Sequence, residues 1–310
     1  MPLEERPARS DRTDQLSFLW REITGRCQLT CRHCYADSGP RGTHGSMTGE
    51  DWKRVIDEAA RLGVGHVQFI GGEPTLHPAL PDLVRHARRR GIEVEVFSNL
   101  VRVPEALWET FELHGVCLAT SYYSSRAIEH DAITGRRSHD RTLRNLREAL
   151  RRGIPIRVGV VDVQERQGVD DAVAELRAMG VEEVGVDHLR QVGRGVRGGG
   201  PDVEQLCGRC ADGCLAISPS GDVWPCVFSR WLTVGNVRST TLREIDMAAA
   251  PIRAELRRRF GLRDRARPGR CEPYCRPCHP NCEPRFQCPP KQGDGDPHGC
   301  PPRRDCPPWE

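Results

Sequence analysis

Residues 64–97 read VGHVQFIGGEPTLHPALPDLVRHARRRGIEVEVF. His66 to Ile70 is a short apolar run of strand type, and Ile92 to Phe97 is a second. Between them, Leu80 to Arg90 has apolar positions at helical spacing and stops at Gly91, the residue that most readily takes the left-handed turn ending a helix. The unit is strand, helix, strand. It recurs outward in both directions: runs at Phe18 to Ile23, Val116 to Thr120, Ile154 to Val163 and Val181 to Asp187 alternate with helical patterns over Gly49 to Leu62, Pro104 to Leu113, Ser138 to Arg152 and Val169 to Met179. Six such units imply a parallel sheet. With right-handed crossovers, an α/β fold follows for residues 16–200, a partial (β/α)6 TIM-like barrel whose site lies at the C-terminal strand ends.

Composition narrows the function. The chain has 310 residues, is 37% hydrophobic and lacks any apolar run near eighteen residues, so no membrane span is expected. Residues 1–15 form an N-terminal extension with charges of both signs and no apolar h-region, which argues against a secretory signal and for the cytoplasm. A net charge of +3, from 46 basic and 43 acidic residues, gives no nucleic-acid signature. Fifteen cysteines are far more than usual: three at Cys27, Cys31 and Cys34, one at Cys117, and eleven between Cys207 and Cys306. In a reducing compartment, such clustering favours metal or cluster ligation over disulfides. Twelve of the 24 prolines lie from Pro268 onward, so residues 201–310 read as a small cysteine-rich domain with a Pro-rich tail, tied together through its cysteines.

The loop after the first strand, Cys27-Gln-Leu-Thr-Cys31-Arg-His-Cys34-Tyr35, carries three thiols at spacings of three and two. Structural zinc is usually held by four protein ligands, whereas a 4Fe-4S cubane held by three cysteines keeps one iron open for a small molecule. Here the chain resembles the radical S-adenosylmethionine (radical SAM) enzymes, whose signature is that C-x3-C-x2-C loop. The resemblance implies that Cys27, Cys31 and Cys34 hold a 4Fe-4S cluster and that S-adenosylmethionine binds beside it. It also implies that Gly71, Gly72, Glu73 and Pro74, after the second strand, hold the methionine amino group, with the glycines allowing close backbone approach and Glu73 accepting from the ammonium. Ser98, Asn99 and Ser121, at the ends of the third and fourth strands, sit where the family contacts methionine or ribose, and His33 and Tyr35 flank the third cysteine near the adenine. Where relatives often show Arg-Gly after the fourth strand, this chain has Thr134-Gly135-Arg136.

The C-terminal third resembles the SPASM extension, which carries auxiliary iron–sulfur clusters in peptide-modifying radical SAM enzymes. Cys207, Cys210 and Cys214 precede Ile217 to Cys226, a hairpin in which Gly221 is followed after four residues by Cys226. Gly235-Asn236 and a helix from about Leu242 to Phe260 come next, then Cys271, Cys275, Cys278, Cys282, Cys288, Cys300 and Cys306. The run from Cys275 to Cys288 reads C-x2-C-x3-C-x5-C where the family pattern is C-x2-C-x5-C-x3-C. Two fully ligated auxiliary clusters need eight thiolates, so a subset of these eleven suffices. A zinc-ribbon tail is the alternative.

The function implied is reductive cleavage of S-adenosylmethionine to a 5'-deoxyadenosyl radical, followed by oxidative crosslinking of a ribosomally made peptide. An external donor such as flavodoxin or ferredoxin would supply the electron, and a separate leader-binding protein could present the peptide. The alternatives are a dehydrogenase or epimerase of a small molecule such as a sugar or nucleoside, or of a peptide residue, and a non-catalytic cluster or zinc protein. Tyr122, Tyr123, Asp187 and His188, at or beyond strand ends, are the candidate substrate contacts. Cys117 falls about 13 Å below Ser121 at 3.3 Å per residue and reads as a core cysteine.

Overall fold

A computed structural model describes residues 15–200 and 202–260. The calls on Cys271, Cys275, Cys278, Cys282, Cys288, Cys300 and Cys306 and on the Pro-rich tail lie outside them. The strands are β1 (Phe18–Thr24), β2 (His66–Gly71), β3 (Glu93–Phe97), β4 (Val116–Tyr122), β5 (Ile156–Asp162) and β6 (Glu183–His188), followed by β7 (Cys214–Ile217), β8 (Asp222–Trp224) and β9 (Gly235–Asn236). The helices are α1 (Gly49–Arg61), α2 (Leu80–Arg89), α3 (Glu105–Phe111), α4 (Ala127–Thr134), α5 (His139–Arg151), α6 (Val169–Ala178) and α7 (Leu242–Arg259). Strands β1 to β6 pair in parallel with their neighbours in chain order, as the repeat of strand and helix requires.

The sheet does not end at β1. Strand β7 pairs with it in parallel, Phe18 opposite Cys214 and Arg21 opposite Ile217, and β8 and β9 extend the sheet antiparallel. The cysteine-rich part therefore continues the barrel wall on the β1 side. The turn between β7 and β8 is closed by Ser218, whose N–H donates to Asp222 O at 2.8 Å, with Gly221 at φ +91°. Helix α4, absent from the sequence reading, fills the connection after β4.

Side chains alternate across each strand and divide the core in two. Leu19, Ile23, Val67, Phe69, Val94, Val96, Leu118 and Val158 face the helices, in one buried layer with Trp52, Leu83, Leu146 and Leu176. Phe18, Trp20 and Ile70 face the other way and pack with Cys210, Cys214, Trp224, Cys226 and Phe260. The apolar contact between barrel and C-terminal part is thus built from the concave ends of β1 and β2. Thr48 caps α1 and Thr241 caps α7, each reciprocally with an acidic residue three positions on. No described helix is long and apolar enough to cross a membrane.

Candidate active site

The loop after β1 is held by backbone bonds on several sides. Cys27 N donates to Gly39 O at 3.0 Å, Thr30 N to Thr134 O at 3.0 Å and Arg32 N to Ile133 O at 3.1 Å. The glycines after β2 press on the segment just before Cys27: a Cβ on Gly71 would meet Thr24 O at 2.3 Å, and one on Gly72 would meet Arg26 O at 2.3 Å. Only glycine fits this approach. From the far side, Arg194 reaches across after β6. Its guanidinium donates to Cys31 O at 2.9 Å, Asp37 at 2.7 Å and Ser38 O at 2.6 Å, and its N–H donates to Cys34 O at 3.0 Å. Sequence reading missed Arg194. Its signal was Gly193, which takes φ +58° against Cys34 O and Tyr35 O.

These contacts bring Cys27, Cys31 and Cys34 into the lining of a cavity of about 650 Å³, together with Gly71, Gly72, Asn99, His33, Tyr35 and Ser121. The donors suit anionic sulfur: Leu29 N lies 3.4 Å from Cys27 Sγ, Asn99 Nδ2 3.6 Å from the same atom, and Ser38 N 3.3 Å from Cys34 Sγ. Burial, then the charge of Glu73, pushes the Cys27 thiol up to about 12, and burial raises Cys31 as well. Such thiols ionise when a metal replaces their protons. The set fits a three-cysteine cluster with small-molecule access. Cys207, Cys210, Cys214 and Cys226 line the same cavity. Cys210 Sγ lies 3.1 Å from Cys226 Sγ, and the Cys210 thiol is raised by hydrogen bonding with Cys207 and Cys226. Four thiols from the described residues suffice for one fully ligated auxiliary cluster.

Other expected site residues are held by protein partners or lie outside the cavity lining. The Glu73 side chain is fully buried and accepts from Thr75 N at 3.0 Å, Thr75 Oγ1 at 2.7 Å, Ser98 Oγ at 2.8 Å and Asn99 N at 2.7 Å. It is not among the cavity-lining residues, and neither are Pro74 and Ser98. This carboxylate ties the end of β2 to the end of β3 and so orients Asn99. Tyr122 is also corrected. Its phenol is buried on the helix side, 2.9 Å from His139 Nε2 and 2.7 Å from Glu175, because alternation along β4 turns Tyr122 away from the concave face and Tyr123 into it. Tyr123 lies 3.1 Å from His33 Nε2. Asp187 and His188 line the cavity beside β6, Asp187 accepting from Arg190 at 3.1 Å. Cys117 is half-buried with its thiol 3.6 Å from Val94 O, and it is not among the cavity-lining residues.

Deeper in the barrel are polar residues that no motif announced. Arg157 on β5 forms a two-point ion pair with the fully buried Glu95 on β3, at 2.7 and 2.8 Å, and Gln68 on β2 also donates to Glu95. Arg157 and Gln68 line the cavity. On the β1 side, Glu22 pairs with Arg230 at 2.6 Å, and Arg230 lies over the Trp224 ring at 4.2 Å. His130 on α4 also faces the cavity, with burial lowering its imidazole to about 4.

Comparison with known proteins agrees with this geometry. The chain is 26% identical over 267 residues to the PqqA peptide cyclase of Streptomyces rochei, covering 72% of each chain. It is 31% identical over 176 residues to the mycofactocin maturase MftC of Mycobacterium tuberculosis, covering 56% of this chain but 45% of that one. The fold is similar to that of Streptococcus suis SuiB, solved bound to its precursor peptide SuiA, with a TM-score of 0.66 at 16% identity over 78% of this chain and 67% of that one. The family model of the radical SAM superfamily matches residues 22–174, and that of the SPASM iron–sulfur cluster-binding domain matches residues 206–279. With those two matches in the order of the two cysteine sets, the chain belongs to the radical SAM superfamily and is a radical SAM enzyme with a SPASM domain.

Proposed function

We propose that this enzyme oxidatively modifies a ribosomally made peptide, most simply by forming a crosslink. The observation that carries the reading is that Cys27, Cys31 and Cys34 share one cavity with Cys207, Cys210, Cys214 and Cys226; peptide-modifying relatives support it. When bound, the three-cysteine cluster and S-adenosylmethionine supply a 5'-deoxyadenosyl radical able to abstract hydrogen from an unactivated carbon. The chain's own residues do the rest. Gly71 and Gly72 shape the backbone beside Cys27, Asn99 and Ser121 offer polar contacts to the cofactor, and His33 stands next to the third cysteine. Trp20, Phe97, Tyr123 and Phe228 line the cavity with rings that exclude water. Tyr123, Asp187 and His188 are the substrate contacts in this reading, since the Tyr122 phenol is bound on the helix side by His139 and Glu175. The auxiliary thiolates would hold a cluster that accepts the electron left on the substrate, with a second auxiliary cluster resting on cysteines beyond residue 260. An external one-electron donor such as flavodoxin or ferredoxin completes the cycle, and a separate leader-binding protein could present the peptide. Hydrogen return from Cys117 has no support in its position, which favours oxidation over epimerisation.

Anaerobic reconstitution should load about 12 irons per chain, three clusters of four, with about four lost when Cys27, Cys31 and Cys34 become Ala. Given a precursor peptide encoded beside the gene, the product should be lighter by two hydrogens for one equivalent of 5'-deoxyadenosine. A product gaining one deuterium in deuterated water would instead mean epimerisation.

A further inference from the structure

We propose that Tyr123 is a hydrogen donor for turnover without substrate: its phenol gives a hydrogen atom to a carbon radical in the cavity, ending the event at a side chain that can be restored. The inference rests on cleavage of S-adenosylmethionine in this cavity.

Strand β4 turns Tyr123 onto the concave face, where it lines the cavity shared with the three-cysteine loop. The ring is nearly enclosed, at 7% exposure. Two imidazoles hold it: the His33 ring centroid lies 4.9 Å away, with Nε2 3.1 Å from the phenol oxygen, and the His130 ring packs edge-on at 5.2 Å. His130 is 1% exposed, lines the same cavity, and its Nδ1 has no hydrogen-bond partner among the described residues. A ring fixed in this way would be filled equally well by phenylalanine if packing were its only task. The hydroxyl adds a weak O–H bond beside the cavity, held in place by a neighbouring imidazole. A tyrosine phenol carries its proton at neutral pH, so the hydrogen is there to give.

The step balances. The Tyr123 O–H bond breaks homolytically, a C–H bond forms at the 5' carbon, and the products are 5'-deoxyadenosine and a neutral phenoxyl radical. The direction is downhill, because a phenolic O–H bond is weaker than a primary C–H bond. One electron from the external one-electron reductant and one proton from water restore the phenol. A substrate C–H bond in the same cavity would compete with Tyr123 for the radical.

The test uses reconstituted full-length protein with S-adenosylmethionine and dithionite in deuterated water, without peptide. The expected product is 5'-deoxyadenosine carrying one deuterium in most molecules, because the phenolic hydrogen exchanges with solvent whereas carbon-bound hydrogens do not. In Tyr123→Phe the deuterated fraction should fall at least fivefold, while Cys117→Ser leaves it unchanged. Freeze-quenched samples of the unaltered enzyme should show a phenoxyl electron-paramagnetic-resonance signal that narrows when the tyrosine rings are deuterated. An unchanged deuterated fraction in Tyr123→Phe, its loss in Cys117→Ser, or undeuterated product with no phenoxyl signal in the unaltered enzyme each overturns the proposal. Absence of any 5'-deoxyadenosine overturns the cleavage reading itself, and the proposal with it.

Discussion

Glu73 is a fully buried carboxylate that accepts from Thr75, Ser98 and Asn99 and so joins the ends of β2 and β3 beside the three-cysteine loop. Its four donors leave no place for a neutral amide, which would turn an N–H toward Thr75 N or Asn99 N. Glu73→Gln should therefore cost about 1–3 kcal/mol of stability, the usual range for a buried polar group left unmatched. It should also weaken S-adenosylmethionine binding through displaced Asn99; thermal unfolding and equilibrium dialysis on the same variant would check both. Arg194 acts on the loop as a fork with three acceptors, a geometry that a single ammonium cannot reproduce. Arg194→Lys is expected to release the iron held by Cys27, Cys31 and Cys34 to a chelator several-fold faster, and retention equal to the unaltered protein would show that the staple is idle. At this scale much of the site was legible. The cysteine spacing and the two glycines were plain, and period-2 alternation along β4, already sufficient to place Cys117, would also have separated Tyr123 from Tyr122. The partners of Glu73 and the reach of Arg194 were not legible, because Arg194 stands about 160 positions from the carbonyls it binds.

Strands and helices were the best-read level. Hydrophobic period and glycine stops located all six barrel strands, and boundaries moved by only a few residues where helix ends are set by caps. What eluded the sequence was β7. Four residues, Cys214 to Ile217, are too short to announce a parallel partner for β1, and that pairing is fixed by tertiary contact. The Glu22–Arg230 pair secures the same seam. Glu22 is buried beneath the cavity wall and meets Arg230 from the segment after β8. Removing one partner strands a buried charge, so Arg230→Ala should destabilise the protein by about 3–5 kcal/mol. The loss should be recovered in part by Glu22→Gln in the same chain, a result read from urea midpoints of the single and double variants.

For the whole molecule, buried imidazoles set the acid limit. His130 and His77 are each lowered to about 4, mainly by burial, against about 6.5 in an unfolded chain. A depressed histidine contributes stability above its unfolded value and loses it as the pH falls toward its folded value, since the unfolded chain then binds the proton first. Stability should therefore decline from about pH 6.5 to pH 4, by roughly 1–2 kcal/mol per imidazole at pH 5. His130→Asn should flatten the decline in urea titrations at pH 7 and pH 5, and an equal decline in that variant would assign the effect elsewhere. The parallel barrel, the three-cysteine loop, the glycine approach to it and the presence of a second cysteine set could be read without the structure, because each rests on local spacing and short-range backbone sterics. Long-range contact alone put both cysteine sets on one cavity, extended the sheet at β1 with the C-terminal part, gave Glu73 its protein donors, turned Tyr122 to the helices and paired Arg157 with Glu95 inside the barrel. Those facts depend on which residues far apart in the chain the closing sheet brings into contact, and on the burial that pairing imposes on their charges.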